Sequence, residues 1–196
     1  MHSFLSLWIK LFFVLTPFFA LSMFLTLTEG YDEARRRRVA LMSSAAVLVL
    51  CLVLFFLGRQ IFFLFGITVD AFRIGAGVLL LLNGIGLVQG KTAAPGLTSD
   101  SELAVVPLGM PIIVGPATTG TLLVLGAELS SLSEKVLGSL AVSAAVASIG
   151  AVLFTGSIIQ RHVGRRGLSI LSKLTGLILS ALAAQMIMTG VQAFLA

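Results

Sequence analysis

Val106-Pro107-Leu108-Gly109-Met110-Pro111-Ile112-Ile113-Val114-Gly115-Pro116-Ala117-Thr118-Thr119-Gly120-Thr121 sets three prolines and three glycines in an apolar segment otherwise long enough to cross a membrane. Proline removes a backbone donor and crowds the preceding turn, and glycine loosens the backbone, so the spacing predicts a helix that breaks or kinks here. Within hydrocarbon a broken helix persists only where its freed backbone groups meet protein, water or a ligand. The stretch is therefore the first place to look for a site, against the plainer reading of a kink that serves packing alone.

The rest of the chain gives that segment its setting. Of 196 residues, 58% are hydrophobic and 11% charged, with a mean hydropathy of +1.10, far outside the soluble range. Uncharged runs cover 11–28, 39–58, 74–90, 103–127, 136–160 and 174–196, each close to the roughly 20 residues that a helix needs to cross about 30 Å of hydrocarbon. Six membrane helices are expected. The polar stretches 29–38 and 91–102 are loop-sized, leaving no room for a catalytic or nucleic-acid-binding domain.

The net charge of +5 is first explained by topology. Arg35 to Arg38, Lys91, Arg161, Arg165, Arg166 and Lys173 fall in loops on one side, and Lys10, Arg59, Arg73 and Lys135 on the other. The positive-inside rule makes the first group cytoplasmic and places both termini outside. The arginine run after Gly30 could also meet anionic lipid heads, though orienting charge explains it more simply. Cys51 lies alone in the second run and is read as a small apolar residue. His2 and His162 are too far apart in pattern to suggest a metal site, and both are expected at the surface.

The chain also looks duplicated. Arg73-Ile74 aligns with Lys173-Leu174 and Gly90 with Gly190; Ser44-Ala45-Ala46-Val47 echoes Ser143-Ala144-Ala145-Val146, and Phe55 and Phe154 follow; Pro17 in the first span pairs with Pro111 in the fourth. With three helices per copy the second must enter from the opposite face. The expected fold is all-α: a polytopic membrane protein of six transmembrane helices in two inverted three-helix repeats, with broken first and fourth helices. Residues 1–90 form the first repeat, 91–102 the linker and 103–196 the second repeat. The first 28 residues have the outline of a signal peptide, but removing them would leave half of the repeat unpaired, so they are expected to stay. Gly86 and Gly90, and Ala144, Ala147, Ser148 and Ala151, are expected to let helices pack closely.

Leu25-Thr26-Leu27-Thr28-Glu29-Gly30 with its arginine run, Ala71-Phe72-Arg73-Ile74, and Val106-Pro107-Leu108 through Pro111 to Gly115-Pro116 resemble the MarC family of bacterial and archaeal membrane proteins along essentially the whole chain. The resemblance implies six helices and transport of small neutral amino acids such as glycine and alanine. The first span departs from the family pattern of Asn-Pro, a glycine and a second proline, having Thr16-Pro17, Phe19 and Ser22. Ala117 stands where glycine is common.

Glycine at an N-cap followed by proline at the first helical position is a favourable helix start. Gly115-Pro116 fits it, leaving the amides of Ala117, Thr118 and Thr119 free at a positive dipole end suited to a carboxylate. Thr16-Pro17 reads the same way, with the Thr16 hydroxyl as the cap. The expected substrate-binding residues are Thr16, Pro17, Pro111, Gly115, Pro116, Ala117, Thr118 and Thr119. Thr121 is a weaker candidate, because threonine in a membrane helix commonly bonds its own backbone.

A zwitterion's ammonium would turn to carbonyls freed around Pro107 to Val114, since no uncharged span contains Asp or Glu. Asp70 and Arg73 suggest a local ion pair. Asn83 and Gln185 are expected to hydrogen-bond between helices. An enzyme is not expected, because no span holds a His, Asp or Glu to act as base or ligand. The function expected is secondary transport of small neutral amino acids by alternating access in a bacterial cytoplasmic membrane. Transport of another small solute, or a membrane scaffold, are the alternatives. The partners are the lipid bilayer and a small solute, not nucleic acid; no cofactor is expected, and sodium or proton coupling and the oligomeric state are left open.

Overall fold

A computed structural model describes residues 4–90 and 113–195. It is all-α: α1 (Phe4–Val14), α2 (Pro17–Leu27), α3 (Glu33–Phe65), α4 (Val69–Gln89), α5 (Pro116–Glu128), α6 (Leu132–Phe154) and α7 (Gly156–Leu195). Among the described residues α3, α4, α6 and the Arg166–Leu195 portion of α7 are each long and apolar enough to cross a membrane, and α1 with α2, bent by 40°, pass the same test only together, as a broken span or a re-entrant pair. The chain is thus a multi-pass membrane protein. α5 has 13 residues, about 20 Å at the helical rise, too short to span alone. Pro107, Pro111 and the expected linker lie outside the described residues.

Several helices outrun the uncharged runs, because their ends are set by caps rather than by charge. α3 begins within the arginine-rich segment, where the Asp32 carboxylate accepts from the Arg35 amide at 2.8 Å. The Thr68 hydroxyl starts α4, and Ser131 with Glu134 forms a capping box on α6. The run 136–160 does not form one helix: α6 ends at Phe154 and its last residues open α7. The basic segment 161–173, expected as a loop, is helical apart from a break at Gly164 (φ 71°). Two of the arginines do more than orient the chain. Arg36 donates to Ser157 Oγ (3.0 Å) and to the Thr28 carbonyl (3.1 Å), tying α2, α3 and α7 together, while Arg37 stacks over Phe154.

One core forms among α1, α2, α3 and α6 around Leu11, Leu21, Phe24, Phe55 and Ile149; another lines the long α4–α7 contact around Leu80, Leu179 and Ala183. The close approaches rest on glycines other than those expected. A side chain on Gly84 would meet the Gly176 carbonyl at 2.8 Å and one on Gly176 the Gly84 carbonyl at 2.6 Å, whereas Gly86 and Gly90 face open space. Gly58 and Gly126 likewise interlock α3 with α5, each against the other helix's backbone. On the α6 face, Ser148 accepts from Trp8 Nε1 at 3.1 Å.

Candidate functional site

α1 closes when Leu15 and Thr16 donate to the Leu11 and Phe13 carbonyls, at 3.0 and 2.9 Å. Thr16 then takes the left-handed conformation (φ 50°, ψ 59°), and Pro17 opens α2. A residue before proline is kept out of the right-handed helical region, and a β-branched residue in the left-handed one is a genuine outlier. The Thr16 hydroxyl makes no cap hydrogen bond, correcting the expectation that it would. Gly115 and Pro116 start α5 as expected, with Gly115 extended (φ −82°, ψ 179°).

The two breaks meet at Thr118. Its Oγ1, buried, lies 3.3 Å from the Val14 carbonyl and 3.2 Å from that of Ile113. One hydroxyl proton therefore lies within reach of two carbonyls, that of Val14 at the end of α1 and that of Ile113 just ahead of the α5 start. The first intrahelical bonds run from Ala20 to the Thr16 carbonyl and from Thr119 to that of Gly115, each 2.9 Å. The Thr119 amide is consequently taken, contrary to expectation. The amides of Ala117 and Thr118 donate to no described residue, nor do those of Phe18 and Phe19 in the matching turn of α2.

Thr16, Gly115, Pro116, Ala117 and Thr118 line one cavity of about 250 Å³, completed by Phe19, Leu79 and Asn83. Pro17 is buried beside it and Thr119 is half-buried; neither lines it. Pro111 lies outside the described residues. Asn83 was expected to bond between helices, but its amide meets no described partner and instead forms part of the cavity wall. The signal was in the sequence: a lone amide in an apolar span.

A second cavity, of about 510 Å³, lies in the other direction along every element that lines both. It takes Leu7 to Leu11 of α1 rather than Thr16, Arg73 of α4 rather than Asn83, and Thr121 to Glu128 of α5 rather than Gly115 to Thr118. Gln185 and Thr189 of α7 close it; the Gln185 amide donates to Thr189 on its own helix (3.4 Å), not between helices. The Thr121 hydroxyl donates to the Ala117 carbonyl (2.9 Å), the local bond expected of it. Arg73 pairs with Asp70 at 2.7 Å, as expected, and also with Glu128 across to α5. Lys10 and Arg73, both assigned to the outer side, sit within helices, Arg73 near the start of α4, and line this cavity. Val14, Ala117 and Met186 belong to one buried cluster; with Thr118, Ala117 is on the wall of the smaller cavity, and with Thr121, Met186 is on that of the larger, all five residues being buried.

Among the described residues no three His, Cys, Asp or Glu side chains gather where they could hold a metal. No solved structure matches the chain. It is 34% identical to a UPF0056 membrane protein of Methanocaldococcus jannaschii, over 93% of each chain. It is 31% identical to the UPF0056 membrane protein YvbG of Bacillus subtilis (98% of this chain, 96% of the relative) and 30% to one of Pyrococcus abyssi, with the same coverage. The model of the MarC family of integral membrane proteins matches residues 1–195, and the chain belongs to that family.

Proposed function

We propose that this protein is a secondary transporter of small neutral amino acids of the glycine and alanine class, working by alternating access between two inverted repeats (1–90 and 103–196, joined by 91–102). The observation that carries the reading is that two interrupted helix starts, Thr16-Pro17 and Gly115-Pro116, meet at a single cavity, whose wall takes Thr16 from one and Gly115 and Pro116 from the other. Each start directs a positive dipole end and two unbonded amides toward the break, an arrangement suited to a carboxylate. The Asn83 side chain adds an acceptor for an ammonium. Interrupted helices around a mid-membrane site are characteristic of inverted-repeat transporters.

The helix starts also revise the alignment of the halves. Pro17 is separated from Pro116 by the same interval that separates Ser44 from Ser143, Phe55 from Phe154 and the cap Asp32 from the cap Ser131. Pro116, rather than Pro111, is the partner of Pro17. With the arginine-rich side cytoplasmic, the protein sits in a prokaryotic cytoplasmic membrane with both termini outside.

Uptake of labelled glycine and alanine into proteoliposomes, with and without sodium or proton gradients, tests the reading and identifies any coupling ion. The wild type is expected to accumulate solute, and Asn83→Leu, which alters the cavity wall without touching the core, to lose at least about tenfold in rate. Folded wild-type protein that moves neither amino acid under any gradient overturns it.

A further inference from the structure

The larger cavity holds charges that the break-centred site does not use. Lys10 lies in mid-α1 on the stripe defined by buried Leu7, Leu11 and Val14, away from Leu5 and Ile9, which are exposed. A lysine turned inward within a membrane helix is costly to keep, and such groups normally mark a solute or ion path. Among the described residues Lys10 has no ion pair. Across the cavity, Glu128 gives Oε1 to Arg73, and its Oε2 bonds to no described residue. Arg73 is occupied by Asp70 and Glu128 together. The cavity therefore presents an ammonium that feels the Glu128 charge without a contact ion pair and one carboxylate oxygen left over from the Arg73 pair, with Gln185, Thr189, Leu125 and Met186 also on its wall.

We infer that this cavity is a second, outward-facing binding site for a zwitterionic α-amino acid, whose carboxylate pairs with Lys10 and whose ammonium pairs with Glu128. It rests on the transporter reading for its ligand class. It supplies what the break cannot, a full negative charge for the ammonium. A ligand with only one of the two charges leaves Lys10 or Glu128 unmatched in a partly desolvated cavity and binds poorly. Met186 on its wall belongs to the same buried cluster as Ala117 on the wall of the smaller cavity.

The test places a reporter at the wall: Thr189→Cys in a Cys51→Ala background, in proteoliposomes, labelled from outside with a membrane-impermeant maleimide. Alanine at about ten times its dissociation constant is expected to slow labelling roughly tenfold, while propionate and ethylamine leave the rate unchanged. Lys10→Met should raise the alanine needed by about ten- to hundredfold. Glu128→Gln, which still accepts from Arg73, should do the same. The labelling rate without alanine shows whether each variant is folded, and either variant alone suffices.

Absence of protection by alanine overturns the outer site. So does protection that survives Lys10→Met and Glu128→Gln but is lost in Asn83→Leu, because it then arises from the smaller cavity through a change of conformation. Uptake by the same vesicles separates the two readings: protection without uptake supports the outer site and counts against transport, and uptake without protection does the reverse.

Discussion

Thr16 holds a conformation that its side chain disfavours. The left-handed region costs a residue with a Cβ roughly 1–2 kcal/mol, and the Thr16 hydroxyl recovers none of it through a cap. Glycine enters that region freely, so the usual helical order, alanine above glycine, should invert at this position. Thr16→Gly is expected to be more stable than Thr16→Ala by about 1 kcal/mol in chemical unfolding in detergent; the opposite order would show that the turn is not strained. Thr118 poses the complementary case. Valine keeps its shape but removes the proton that the Thr118 hydroxyl offers to the Val14 and Ile113 carbonyls. Thr118→Val should cost about 1–2 kcal/mol and Thr118→Ser much less, measured in the same way.

At the scale of elements, the helix contacts separate glycines that composition treats alike. Gly84 abuts the backbone of α7, and Gly86 faces open space. Gly84→Leu should therefore destabilise by about 2 kcal/mol or fail to assemble, with Gly86→Leu within about 0.5 kcal/mol of wild type in a thermal-shift series. Sequence spacing suggested Gly86 and Gly90 because small residues four apart form a stripe on any helix, but which stripe meets a neighbour depends on rotation about the axis, and apolar spans carry little periodicity to reveal it. The parts that could be read ahead are those governed by local chemistry. Proline and glycine located the breaks at Pro17 and Gly115-Pro116, and the uncharged runs 39–58, 74–90 and 174–196 fall, to within one end residue, inside helices long enough to span. Lys10 was misplaced because a run counted from the first uncharged residue starts at Leu11, whereas the helix begins at Phe4 and carries the lysine inward. Asn83 was assigned a bonding role because a lone amide in an apolar span ordinarily needs a partner; the cavity that excuses it is made by residues distant in the chain.

At the scale of the whole molecule two cavities share a buried cluster, Ala117 being on the wall of one and Met186 on that of the other. In the proposed orientation, with the arginine-rich side cytoplasmic, Asn83 lies toward the cytoplasmic end of α4 and Arg73 toward the other, and α7, which leads away from the basic segment, carries Gln185 outward. If a layer made of the buried Val14, Thr118 and Met186 separates two aqueous approaches, cysteines placed on either side should differ in the face from which they react. In a Cys51→Ala background, Asn83→Cys should be labelled by an impermeant maleimide only when the reagent is on the cytoplasmic side, and Gln185→Cys only from outside. Each cysteine is the control for the other: a leaky membrane would label both from both faces, and reversed insertion would exchange them. A scaffold whose breaks serve packing alone gives neither cysteine an aqueous route, and both stay unlabelled. Widening the layer by Met186→Ala should allow each cysteine to react from the wrong side while leaving its proper side unchanged. That outcome follows only if one layer of side chains, rather than the bulk of either repeat, is what stands between the two faces.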